Sequence, residues 1–171
     1  MSGSEKASED EDVDAQPPAR SDKSRQRAGR ESAPSAVPEV AVRRTLTTGF
    51  WLLAVAIPFG VTLEALHGFK VGAYLQSEMR RELWRLSHAH GTLLGILCLV
   101  FAALAERHVD SKVRAAVATQ LMAGAILMPL GFFLGGILNS EGDPSLGIAL
   151  VPLGALLLVM ALARAGGAAR G

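Results

Sequence analysis

The sequence predicts an all-α integral membrane protein: four transmembrane helices in an up-down bundle, preceded by a disordered, charged N-terminal tail. Three observations lead there. Half of the 171 residues are apolar, yet charge is segregated: residues 1–44 hold eight Lys/Arg and nine Asp/Glu with almost no large apolar side chain. The rest of the chain contains four long apolar runs, each of the length that crosses a hydrocarbon core of ~30 Å. Between the runs lie segments in which charged and turn-forming residues concentrate.

The tail, residues 1–44, is built of Ser, Ala, Pro, Glu, Asp and Arg. An acidic block (Glu9, Asp10, Glu11, Asp12, Asp14) precedes a basic one (Arg20, Lys23, Arg25, Arg27, Arg30). No apolar period is present to offset chain entropy, so disorder is expected. It reads either as a solvated tail with no specific role or as a docking segment for a cytoplasmic partner or anionic lipid, although Asp22 and Glu31 dilute the basic block.

The membrane domain, 45–165, divides into spans at about 45–67, 87–106, 115–138 and 145–164, followed by a short tail, 166–171. The first span opens with nineteen uncharged residues, Thr45–Leu63, with Phe50 and Trp51 near its start as interfacial aromatics and Pro58 in its middle. It is too long and too far along the chain for a signal peptide, so it is expected to stay as an anchor. Residues 68–86 form an amphipathic lead-in that continues into the second span, with Ser77 as its candidate cap. A polar link, 108–114, precedes the third span, which carries Pro129. A turn-rich link, 139–144, precedes the fourth.

Small residues mark the contact faces of membrane helices. His88, Gly91, Gly95, Cys98 and Ala102 fall at three/four spacing on the second span. Gly124, Gly131 and Gly135 do so on the third, and Gly147, Val151 and Gly154 on the fourth. Cys98, the only cysteine, reads as a small apolar filler on that seam. Four spans put both termini on one side. That side carries Arg43, Arg44, Arg107, Lys112, Arg114, Arg164 and Arg170 against Lys70, Arg80, Arg81 and Arg85 on the other. Positive-inside counting therefore favours cytoplasmic termini. The net charge of +1 gives no field that would draw nucleic acid, and none is expected as a partner.

Ionisable groups inside or at the edge of a span are costly and are functional candidates. Glu64 and His67 lie three apart at the end of the first span, over one helical turn. His88 and His90 open the second span at the same membrane face, and their separation of about 200° around a helix sends them to different neighbours. The glycine seam selects His88 for the interior. Three readings stay open. Glu64, His67 and His88, with His90 as a further candidate, can serve at the outer face as ligands for a transition metal such as zinc, copper or iron, or as a titrating cluster. His88 or His90 can ligate a haem iron in a membrane electron-transfer complex. Alternatively, Glu64 pairs with Arg81, Arg85 or a histidine, and the imidazoles simply satisfy hydrogen bonds. A further function class is a small transporter or channel subunit acting as a homo-oligomer or with a membrane-complex partner. No nucleophile–base–acid set, phosphate loop or nucleotide motif occurs, which speaks against soluble-type catalysis.

The segment Leu83-Trp84-Arg85-Leu86-Ser87-His88-Ala89-His90-Gly91-Thr92-Leu93-Leu94-Gly95, with Glu64-Ala65-Leu66-His67-Gly68 before it, resembles a group of uncharacterised small bacterial four-span membrane proteins. The resemblance spans residues 45–165 and implies a bacterial inner membrane location and four spans, but no activity. The His-Ala-His segment is also similar to the haem-binding second helix of haem-copper oxidase subunit I and of nitric-oxide-response membrane proteins related to it. Those proteins use further histidines on later helices, and the third and fourth spans here have none. A copper–haem centre within one chain is thereby excluded, and bis-histidine haem ligation would need His67 or a second subunit.

Overall fold

The computed structural model describes residues 36–137 and 143–169. The expectation of a disordered tail falls on residues 1–35, outside the described residues, as does most of the link 139–144. The described chain is helical: α1 (Ala36–Gly68), a one-turn α2 (Gly72–Leu75), α3 (Glu78–His108), α4 (Ser111–Ile137), a 3-10 turn (Leu146–Ala149) and α5 (Leu150–Gly167). Four helical segments, Val37–Gly68, Glu78–His108, Ser111–Ile137 and Leu146–Gly167, are long and apolar enough to cross a membrane. The protein is an all-α integral membrane protein of four spans.

Two boundaries differ from those expected. α1 begins nine residues before Thr45, inside the segment assigned to the tail. Pro38 and Val42 are buried there, so the early turns have a packing face despite Glu39, Arg43 and Arg44. The link between the second and third spans shrinks to Val109–Asp110, because Lys112 and Arg114 belong to the first turn of α4. The Asp110 carboxylate caps that turn, accepting from the Lys112 N–H at 2.9 Å. Arg114 reaches back to the carbonyls of Glu106 and Val109, at 3.2 and 2.9 Å, and so closes the end of α3. Ser77 caps α3, its hydroxyl accepting from the Arg80 N–H at 3.2 Å.

The end of α1 is a Schellman turn with an unusual residue in it. Val71 N–H bonds to Leu66 C=O at 3.0 Å and Lys70 N–H to His67 C=O at 3.1 Å. Lys70 occupies the left-handed position, φ 55°, where glycine is the ordinary choice. Lys70→Gly is expected to stabilise the protein by about 0.5–1 kcal/mol by removing the Cβ clash. A higher unfolding midpoint in detergent checks this; a lower one would contradict the strained turn.

α2 is held against the bundle end by arginine. The Arg80 guanidinium donates to the carbonyls of Gly136 (3.0 Å) and Ala73 (2.5 Å), and Arg81 donates to Leu75 C=O. Beneath it Tyr74 stacks on Trp84, centroids 6.2 Å apart, and Trp84 stacks on Phe133 at 5.8 Å with Phe59 edge-on to both. The Trp84 indole N–H donates to Phe133 C=O at 3.2 Å, so the ring is satisfied as well as packed.

α4 is the central helix. It packs against α1, α3 and α5, whereas α5 approaches α4 alone among the spans. Close approaches occur where the small-residue seams predict them. A Cβ on Gly124 would lie 2.8 Å from Gly154 C=O, and one on Gly131 would lie 2.9 Å from the Val151 backbone N. On the other side of α3, a Cβ on Gly95 would meet Gly49 C=O at 3.2 Å. The core joins Leu94 and Cys98 of α3 to Val117, Leu121 and Ala125 of α4 and Leu158 and Ala161 of α5. Cys98 is fully buried in it, as a small filler should be. Ser87 also faces inward, its hydroxyl donating to Pro129 C=O at 2.9 Å.

Candidate functional site

Lipid-facing helices leave few places for polar chemistry, and one lies where α3 crosses α1. His88 is directed toward α1, as the glycine seam of α3 requires. Its Nδ1 lies 2.9 Å from Ala56 C=O. A carbonyl only accepts, so the hydrogen of this bond sits on Nδ1. Nε2 is then the ring's free nitrogen, and among the described residues nothing bonds to it. The imidazole occupies space that any side chain at position 60 would fill: a Cβ there would stand 2.4–2.8 Å from three ring atoms. Gly60 is thus the seat of His88, and Ala56 its anchor. Thr92, one turn on, donates to His88 C=O at 3.0 Å.

Beside the ring, a groove of about 270 Å³ runs between α1 and α3. It is lined by Ile57, Gly60, Val61, Leu63, Glu64, Arg85, His88 and Thr92. The structure therefore brings Glu64 and His88 to one groove. The expected pairing of Glu64 with Arg81 or Arg85 is not made among the described residues. Arg81 is committed to the carbonyl of Leu75, and Arg85 pairs with Glu82 at 3.5 Å. Glu64 consequently lines the groove with no ion pair or hydrogen bond from another described residue.

His67 does not join this arrangement. It is exposed in the last turn of α1, seven residues beyond Gly60, or ~10 Å along the helix. Among the described residues no three His, Cys, Asp or Glu side chains gather closely enough to hold a metal ion. The three-ligand set Glu64, His67 and His88 is therefore not assembled in the structure. The reason is the level at which α3 crosses α1, a turn or more before His67.

His90 faces another way. Its ring lies 4.9 Å from that of Phe132 on α4, and its Nδ1 is 2.8 Å from Leu86 C=O of its own helix. His88 and His90 do not converge on a common point, so the two cofactor candidates do not form a pair. His108, expected in the link at the opposite end, is the exposed last residue of α3.

Sequence reasoning found Glu64 and His88 from their cost inside a span and from the glycine seam. It named Arg85 only as an ion-pair partner for Glu64, and it missed Thr92 as a neighbour in the groove and Gly60 as the seat of the ring. The spacings Gly60–Glu64 and His88–Thr92, each one helical turn, were the available signals. No family model matches the chain, nor does any curated protein or solved structure.

Proposed function

We propose that this integral membrane protein is a binding protein, not an enzyme, and that it holds a cationic group in the α1–α3 groove at the outer face of the membrane. One observation carries the reading: two acceptors without partners, the Glu64 carboxylate and His88 Nε2, line the same groove. Charge-assisted hydrogen bonds from a cation to such acceptors are the strong class. A transition metal would find two protein donors here and would complete its shell from water or lipid, whereas structural zinc sites use four protein ligands. An ammonium group needs only acceptors.

The test uses full-length protein carrying ¹⁵N-histidine in phosphatidylcholine nanodiscs, titrated with zinc chloride and, separately, with ethylammonium chloride. The His88 Nε2 resonance is expected to move saturably with at least one of them, and Glu64→Gln to weaken that binding by about tenfold. A resonance unmoved by both ions would reject the proposal, as would equal affinities for wild type and Glu64→Gln.

A further inference from the structure

Resting on that reading, we propose that the cationic group is the primary ammonium of a phospholipid headgroup, with the lipid phosphate held by Arg85 in the same groove. The depth of the groove is the first argument. Thr45–Leu63 and Leu86–Ala105 are uncharged, and Glu64 and Arg85 are the first charges beyond them at one end of the bundle. Two helices each running ~30 Å through hydrocarbon place those charges at the level of the headgroups.

The second argument is charge pattern. Glu64 and Arg85 line one groove and make no ion pair with each other, so a negative and a positive group stand available side by side. That pattern fits a zwitterion better than a simple ion. Arg85 spends one contact on Glu82 at 3.5 Å, and a guanidinium has five N–H donors. It can therefore bridge to a phosphate while keeping its neighbour. On the opposite pole, Glu64 and His88 Nε2 accept from an ammonium, which has three N–H donors. A trimethylated choline nitrogen has none.

The third argument is access. Ile57 and Val61 border the groove and are more than half exposed, at 56% and 66%, on the lipid-facing side of α1. An amphiphile already in the leaflet can enter sideways with its chains along these residues, whereas a soluble ligand gains nothing from them.

The experiment is native mass spectrometry of detergent-solubilised full-length protein offered equimolar phosphatidylethanolamine, phosphatidylcholine and phosphatidylglycerol. Parallel titrations use soluble phosphoethanolamine. Wild type is expected to retain the ethanolamine lipid over the choline lipid by roughly tenfold, the scale of a charge-assisted hydrogen bond. Glu64→Gln should erase that preference, and Arg85→Gln should reduce retention of all three lipids. Circular dichroism and an unchanged unfolding midpoint establish that both variants fold. Equal retention of ethanolamine and choline lipids by wild type would overturn the inference. So would a preference that survives Glu64→Gln, or soluble phosphoethanolamine binding as tightly as the lipid. If zinc or ethylammonium still moves the His88 signal while lipids are not distinguished, the headgroup assignment alone falls. If nothing binds, the cation site falls with it.

Discussion

Gly154→Leu is expected to destabilise the bundle by about 2–3 kcal/mol, the upper part of the range for overpacking a close contact. A Cβ at position 154 would meet the Met128 backbone N at 2.8 Å and Gly124 C=O at 3.2 Å. These are atoms of a helix backbone, and no rotamer change moves them. The strain must be relieved by pushing α5 away from α4. Since α4 is the one span whose backbone α5 approaches closely, that contact carries most of its seating. The lowered unfolding midpoint in mixed micelles should be accompanied by faster proteolysis near the C-terminus. Gly166→Leu is the matched control, because nothing lies within 4 Å of a Cβ there. Equal midpoints for the two variants would mean that α5 is not seated on α4 through Gly154.

Gly60→Ala is expected to disable the groove without removing either acceptor side chain. The added methyl would need the space of the His88 ring, 2.4 Å from its Cε1. The imidazole must swing away, and its 2.9 Å bond to Ala56 C=O breaks. The lost hydrogen bond costs about 1 kcal/mol of stability, which leaves the bundle folded. Cation binding is the larger casualty. With Nε2 displaced from Glu64's side of the groove, affinity should drop about tenfold, close to that of His88→Ala. Loss of the protected His88 Nδ1–H signal in ¹⁵N-histidine spectra is the direct readout. Gly68→Ala, with open space around its Cβ, should leave both signal and affinity unchanged. A Gly60→Ala protein that keeps the Nδ1–H bond would show that the ring is not seated where described.

Hydropathy made the four spans legible, because a stretch of twenty uncharged residues has few alternatives in a folded chain. Their ends were less so. Glu39, Arg43 and Arg44 masked the opening turns of α1, whose buried side is only Pro38, Val42 and Thr45. Lys112 and Arg114 looked like loop residues, yet Asp110 caps them into a helix and Arg114 serves the preceding helix end. The seams were readable for a simple reason: glycines at three/four spacing have little other use in a membrane helix. That is why His88 could be assigned inward.

The site itself was half visible. Spacing put Glu64 and His67 over one turn, but no sequence pattern states the height at which α3 crosses α1. That crossing includes Glu64 and leaves His67 outside. The anchor of the ring is a backbone carbonyl, which every residue carries and no residue type advertises. Only the absence of a side chain at Gly60 hinted at it.

One last property follows from the helix lengths. α1 has 33 residues and α3 has 31, so at ~1.5 Å each they extend ~45–50 Å, well beyond the ~30 Å hydrocarbon layer. The fourth span, the 18-residue α5 with its 3-10 lead-in, has 22 residues and extends ~35 Å, the nearest of the four to that layer. Opposed demands of this kind set a thickness optimum: thin bilayers oblige α1 and α3 to lean or protrude, while thick ones strand the ends of α5. Reconstitution into lipids of graded acyl length should show greatest stability near the thickness that α5 prefers, with the surplus turns of α1 and α3 standing in the aqueous layer.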